Sequence, residues 1–194
     1  MAEKPSYLGM LNAIANAERR GHTLLKSWAD KSTDSDVSGA LNMVAIREAE
    51  HAWAFEKRIC ELGFSLKEKD DPNFQKTLDI VCSELSDLEK FEKLGYNKPD
   101  ADADETDGLL QLLGDKSIDP QTGELLGRFI AEERDSGRAL RAAYQCAKDK
   151  GNGQAATSPE FGDTLNAICT QLQELTAAVN AMQKEKGGRK TKAA

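Results

Sequence analysis

Glu48 and His51 are the two residues whose types and spacing most directly suggest chemistry. They lie three positions apart in the segment VAIREAEHAWAFEKRI, a spacing that places both side chains on one face of a helix. The same face carries apolar residues on either side of the pair, namely Leu41, Val44, Phe55, Ile59 and Leu62. A buried carboxylate is costly unless it is paired or bound to a metal. The sequence therefore predicts partners for this pair inside the protein.

The elements that must position this pair are helices. Apolar residues recur with helical periodicity over about residues 6–30, 36–62, 73–94 and 120–150, which predicts four long helices. An acidic segment over 96–117 is predicted to be a long crossover connection. A fifth helix, about 159–186, has a narrow coiled-coil-type stripe that can pack on the same chain or on a second copy. We therefore expect an all-α fold, a four-helix bundle with an additional C-terminal helix.

Each of the other three long helices also places an acidic residue in its apolar stripe. Glu18 lies in the stripe of the first helix, and Glu133 in that of the fourth. In the third helix either Glu84 or Leu85 faces the core. With Glu48 on the second helix, we expect carboxylates from four helices to meet in one interior.

Carboxylates and an imidazole form a donor set that suits iron or manganese. Bundles that hold two iron ions take one Glu from each of two helices and a Glu-x-x-His pair from each of the other two. Here the fourth helix carries Glu133 and Ser136, so the second histidine is missing. A shifted register would pair Glu132 with Asp135 instead. The apolar spacing favours the first register and leaves the second open.

These segments together resemble the ferritin-like superfamily and, within it, the rubrerythrin-like proteins. The four helix patterns of that group are similar to AERRGHTLLKSWA, REAEHAWAF, SELSDLEKFEKLG and FIAEERDSGRAL, in that order. The resemblance spans about residues 6–150. It implies two iron ions if the site is complete, with manganese possible, and an oxidoreductase reaction with peroxide or dioxygen. The metal ligands it implies are Glu18, Glu48, His51, Glu84 and Glu133, with Ser136 or Asp135 at the altered position.

The cysteines mark one departure from full-length rubrerythrins. The chain has four cysteines but no Cys-x-x-Cys pair, so it lacks the four-cysteine iron site of those proteins. The resemblance then implies that electrons come from an external donor protein.

Composition limits the remaining possibilities. The chain has 194 residues and a net charge of -7 without a basic stripe, which argues against nucleic acid as a partner. It has no apolar run long enough to span a membrane and no signal-peptide pattern, so we expect a cytoplasmic protein. The expected domains are a bundle over 1–151, the amphipathic helix over 152–186 and a disordered basic tail over 187–194. The fifth helix favours a homodimer or small homo-oligomer.

Two other functions stay open from the sequence. Glu48 and His51 could form a buried ion pair without metal, in which case the bundle is a degenerate, non-catalytic scaffold for protein interaction. Iron storage in a large shell is the third possibility, although the long, heptad-patterned fifth helix suits a small oligomer better.

Overall fold

The computed structural model describes residues 4–97 and 108–151, and within these ranges it contains five α-helices and no strand. The helices are α1 (Leu8–Ala29), α2 (Ser35–Glu61), α3 (Phe74–Cys82), α4 (Asp87–Lys93) and α5 (Pro120–Gly151), with a short 3-10 helix at Gly108–Leu113. The prediction of an all-α protein is thereby confirmed for this part of the chain. The search for membrane-spanning segments, made over the same ranges, finds no helix of sufficient length and apolarity.

The chain divides into two units, Met1–Gln154 and Ala155–Ala194. The predicted helix over 159–186 and the predicted basic tail lie outside the described residues, as does the 98–107 part of the predicted crossover.

The three long helices α1, α2 and α5 provide the frame of the first unit. Asp34 begins α2 by accepting backbone hydrogen bonds from Asp36 and Val37, and Gly63 follows its end at a positive φ of 84°, a conformation that favours glycine. The short turn between α1 and α2 makes them antiparallel neighbours. Along α5 the contacts with α2 run in the opposite order of residue number, so α5 is antiparallel to α2.

Apolar side chains fill the two ends of this frame and leave a polar level between them. One cluster includes Leu11, Phe55 and Leu126, and the other includes Trp28, Leu41 and Leu140. On each long helix the apolar stripe is interrupted at the same height, by Glu18 on α1, by Glu48 and His51 on α2, and by Glu133 on α5. The fold thus brings the predicted polar residues of three helices to one level of the core.

The predicted third helix over 73–94 is wrong as a single element. The chain follows α1 first as a loop over 64–73, fixed by hydrogen bonds from Asn16 to the Lys67 carbonyl and from the Lys69 amide to Asn16. It then forms α3 and α4, separated by four non-helical residues, 83–86, of which the first and the last have extended backbone. Ser86 and Glu89 form a reciprocal capping box that starts α4 anew, and this local signal competes with continuation of α3.

A polar network fixes the beginning of α5 against α1 and α2. Asp119 accepts hydrogen bonds from the backbone amides of Gln121 and Thr122 (3.0 and 3.1 Å), from Tyr7 Oη (2.6 Å) and from the Arg58 guanidinium (2.9 Å). Burial alone would raise the pKa of Asp119, but hydrogen bonds from Thr122, Tyr7 and Arg58 outweigh burial and hold that pKa well below its usual range.

Replacing Asp119 should therefore weaken the fold. We expect Asp119→Ala to lower the free energy of unfolding by about 2–4 kcal/mol, because it removes a helix cap and one of the two carboxylates that pair with the mostly buried Arg58, Glu61 being the other. Urea unfolding at neutral pH measures the change. Asp79→Ala, which removes an exposed carboxylate bonded to Gln75, is the control and should change the free energy by less than about 0.5 kcal/mol. Equal losses in both variants would contradict the anchoring role of Asp119.

Candidate metal centre

His51 is the centre of the polar level. Its side chain is buried, and its ring packs edge-on against Phe129 at a centroid distance of 5.0 Å. Nδ1 lies 3.0 Å from Glu18 Oε2 and 3.5 Å from Glu133 Oε1, and Nε2 lies 2.7 Å from Glu132 Oε2. The imidazole therefore has carboxylates on both edges, and two of them share its Nδ1 side.

The donors on the Nδ1 side are close enough to share one ion. One donor atom each from Glu18, His51 and Glu133 lies within 4.8 Å of the other two. Protein donors lie about 2.0–2.2 Å from metals such as zinc, so two donors of one ion are at most about 4.4 Å apart. A small side-chain rotation would bring the three donors within that limit.

Glu133 has a buried carboxylate oxygen that lacks a hydrogen-bond partner among the residues that the structure describes. Its Oε1 is buried and lacks a well-formed hydrogen bond within the described residues, because the nearest donor, His51 Nδ1, lies 3.5 Å away and bonds Glu18 at 3.0 Å instead. Buried polar atoms are almost always satisfied, and an exception calls for an explanation such as an ion or a water molecule. The donor set, two buried or half-buried carboxylates and an imidazole, fits a cation.

Glu48 completes the group from the side of α1, where Gly21 leaves room for it. A Cβ atom at Gly21 would lie 2.9 Å from Glu48 Cδ and closer still to Oε2. The absence of a side chain at Gly21 therefore allows the Glu48 carboxyl group to lie against the backbone of α1, next to Glu18, with which it shares a hydrogen bond.

Crowding of carboxylates at this level changes their protonation. The pKa of Glu48 is raised to about 9, first by burial and then by the neighbouring charges of Glu18 and Glu133. Burial likewise raises the pKa of Glu18, although its hydrogen bond with His51 offsets part of that rise. For His51, burial alone would lower the pKa, but the nearby Glu133 carboxylate and the hydrogen bonds to Glu18 and Glu132 outweigh it and raise the pKa to about 10. Protons thus supply the positive charge that the site requires.

Two predicted ligands lie elsewhere. Glu84 falls in the break between α3 and α4, where its side chain is 97% exposed and pairs with Lys31 at 3.5 Å. The prediction that Glu84 faces the core is wrong, because the third helix does not continue through this position. Asp135 is exposed on α5 and pairs with Arg47 and Arg138, so the prediction that it faces the site is wrong as well.

The position of the missing second histidine is occupied by a different interaction. Ser136 is buried, and its Oγ accepts a weak hydrogen bond of 3.4 Å from the Arg47 guanidinium. The apolar spacing that favoured Glu133 and Ser136 over the shifted register is consistent with their inward positions. Ser136 adds no nitrogen donor, and a guanidinium lies beside it.

Three neighbours of the site did not emerge as such from the sequence. The shifted register predicts Glu132 as a metal ligand, whereas Glu132 bonds Nε2 of His51 and accepts a hydrogen bond from Arg128 Nε at 2.9 Å. Gly21 could have been recognised from the sequence, since a glycine within the apolar stripe of a helix indicates close packing of a neighbouring group. Tyr96 is partly buried, packs on Phe91 at 5.1 Å and has a pKa raised by burial and by Glu48. No pattern selected Tyr96, because it follows Gly95 in the segment predicted to be a loop.

An apolar groove reaches His51 from the surface. It has a volume of about 540 Å³ and is lined by α1, α2 and α5, with Ile46, Trp53 and Phe129 among its apolar walls and Arg128 at its edge. Ile46 and Trp53 are 60% and 73% exposed. Large exposed apolar side chains beside a groove commonly mark a binding surface.

Comparison of the chain with protein-family models, with curated proteins and with solved structures gives no significant match.

The fit between Gly21 and Glu48 predicts opposite effects of two similar substitutions. Gly127→Ala adds a methyl group at an exposed helical site with open space, and we expect it to stabilise the protein by about 0.5–1 kcal/mol. Gly21→Ala should instead destabilise it by about 1–2 kcal/mol, because the buried Glu48 side chain must move. Urea unfolding of the metal-stripped protein measures both. Equal stabilisation by both substitutions would contradict the packing of Glu48 against Gly21.

The raised pKa values predict a loss of stability toward high pH in the metal-stripped protein. Glu48 and His51 have ordinary pKa values of 4.5 and 6.5 and folded values of about 9 and 10. The folded state therefore holds more protons than the unfolded state between these limits, and stability falls as pH rises through that window. Each pH unit within that window costs about 1.4 kcal/mol per group that stays protonated only in the folded state, so from pH 5 to 9 we expect a loss of at least about 3 kcal/mol in urea unfolding.

Glu48→Gln removes one of the two titrations without changing side-chain size, so its stability should fall distinctly less over the same pH range. Glu50→Gln, at an exposed position two residues later, is the matched control and should follow the wild type. Parallel pH curves for wild type and Glu48→Gln would show that Glu48 does not hold its proton in the folded state.

Proposed function

We propose that this chain is a metal-binding protein of the ferritin-like, rubrerythrin-like kind, with an oxidoreductase reaction toward peroxide or dioxygen. Glu18, Glu48, His51 and Glu133 would hold iron, or manganese in its place. The observation that carries the proposal is the buried, unsatisfied Oε1 of Glu133, which lies beside Glu18 and His51 in a group of donors fit for one ion.

Electrostatics supports a cation at this position. The group has more carboxylates than positive charges, and it lies between two apolar clusters. In the metal-stripped protein, protons on Glu48 and His51 relieve the repulsion. A divalent cation would do the same while leaving the carboxylates ionised, and metal binding would then release protons.

Four donors favour one ion over two. A two-iron site of this type takes six protein ligands, and Glu84 and Asp135 are exposed while Ser136 offers no nitrogen. The guanidinium of Arg47 near Ser136 adds a positive charge that disfavours a second cation there. We therefore infer an asymmetric site with a single ion as its principal occupant.

The surrounding residues have distinct tasks in this proposal. Iron supplies the capacity to exchange electrons with an oxidant, and the resemblance implies an external protein as electron donor. Glu132 accepts a hydrogen bond from His51 Nε2 and thereby orients Nδ1 toward the ion, an arrangement that also makes the imidazole a better ligand. The groove at His51 would admit a small oxidant from solvent.

Metal analysis of matched variants tests the proposal. Protein purified from iron-supplemented cells should contain iron or manganese at about one ion per chain. Glu133→Gln keeps the size of the side chain and removes its charge, and we expect it and His51→Ala each to weaken metal binding at least about tenfold, the range typical for loss of ligands and their partners. Competition with a chelator measures the affinities.

Glu84→Gln is the control for the number of ligands. Its position on the surface predicts unchanged metal content, whereas a complete two-iron site that includes Glu84 would lose metal in this variant. Trace metal in the wild type, equal to that in His51→Ala, would refute metal binding altogether.

A non-catalytic scaffold is the second candidate, favoured by the exposed apolar groove with Ile46 and Trp53 on α2. In that case the polar level is a structural network, and His51→Ala should alter thermal stability without altering any reaction. Oxidation of the ferrous-loaded protein by peroxide, followed by absorbance, separates the two candidates. A wild-type rate above that of His51→Ala supports the oxidoreductase, and equal rates support the scaffold.

A further inference from the structure

A second polar pocket lies between the end of α1 and the break that separates α3 from α4. Its volume is about 230 Å³, and lysines, hydroxyl residues and two carboxylates line it. Lys31 at this pocket follows Glu18 by thirteen residues, a separation of about 20 Å at the rise of an α-helix. The pocket is therefore distinct from the candidate metal centre.

Lys90 is the residue of this pocket that could bind an anion, through its ammonium group. It lies on α4, lines the pocket and is only 2% exposed. No residue that the structure describes forms a hydrogen bond or an ion pair with its ammonium group. The side chain is almost fully enclosed, but Nζ is not among the buried atoms that lack a partner, so the ammonium group keeps contact with solvent. An anion that enters the pocket could therefore reach its three donors.

The two carboxylates at the pocket are engaged with other residues. Asp87 Oδ1 accepts a hydrogen bond from Trp28 Nε1 (2.6 Å), and Oδ2 accepts one from Ser32 Oγ (2.6 Å). Glu84 pairs with Lys31 at 3.5 Å. Neither carboxylate therefore neutralises Lys90, and both oppose the approach of a strongly charged anion.

We propose that this pocket binds an oxyanion of the phosphate or sulfate class. Lys90 provides an enclosed lysine without an ion-pair partner, Lys31 provides a second ammonium group that is shared with Glu84, and Thr33 provides a hydroxyl group. The volume accommodates such an anion together with water. Because Asp87 and Glu84 lie close by, we expect a dissociation constant on the order of 1 mM. This site goes beyond the proposed metal chemistry and does not depend on it.

Trp28 offers a direct readout, since Asp87 joins it to the pocket. The chain has two tryptophans, so Trp53→Phe, a change at an exposed position, leaves Trp28 as the single one. Titration with inorganic phosphate, and separately with sulfate, at constant ionic strength set by sodium chloride should give a saturable change in Trp28 emission. The melting temperature should rise over the same concentration range.

Matched lysine variants in the Trp53→Phe background test the assignment. Lys90→Met keeps the buried aliphatic stem, and we expect it to weaken binding at least about tenfold. Lys93→Met, an exposed position on the same helix, should leave the affinity within about twofold. If Lys90→Met fails to fold, Lys31→Met serves in its place and should weaken binding about threefold or more. A response that does not saturate, that chloride alone reproduces, or that persists in the Lys90 or Lys31 variant would overturn the proposal.

Discussion

Crowding of negative charge at one level of the core, between two apolar clusters, is the constraint on which this structure depends. Glu18, Glu48 and Glu133 meet around His51 between two apolar clusters. Carboxylates in such a place must be neutralised, by protons or by a metal ion. The raised pKa values of Glu48 and His51 describe the first solution, and the unsatisfied oxygen of Glu133 points toward the second.

The two solutions are alternatives for the same group of atoms, which links the structure to the proposed function. A helical core that needed only stability would gain from apolar residues at this level, since replacing a buried ion pair by packed apolar side chains is often neutral or stabilising. Here α1, α2 and α5 all interrupt their apolar stripes at the same height. Gly21 gives up a side chain at that height, and Glu132 supports the far edge of the imidazole. These coordinated departures from a simple core support a binding role.

The sequence predicted the inward residues where the helical stripe is long and continuous. Glu18, Glu48, His51 and Glu133 each lie within a helix of 22 residues or more, so many apolar positions fix the phase of the helix. The prediction for Glu84 was wrong because the helix ends before this residue. The helical periodicity of the preceding residues therefore does not predict which way its side chain points. The capping box of Ser86 and Glu89 was the available signal for that interruption. The place of Tyr96 depends on contacts between distant segments, which no local pattern encodes.

The network at Asp119 also determines which acidic residue of α5 reaches the site. Four consecutive polar or charged positions, 132–135, follow one another at about 100° per residue around the helix axis, so a rotation by one position would replace Glu133 with a neighbour. Tyr7 and Arg58 hold Asp119 at the first turn of α5, fourteen residues before Glu133. The contacts of Asp119 at the beginning of α5 thus set the rotation of this helix about its axis, and with it the direction of the Glu133 side chain about four turns further along.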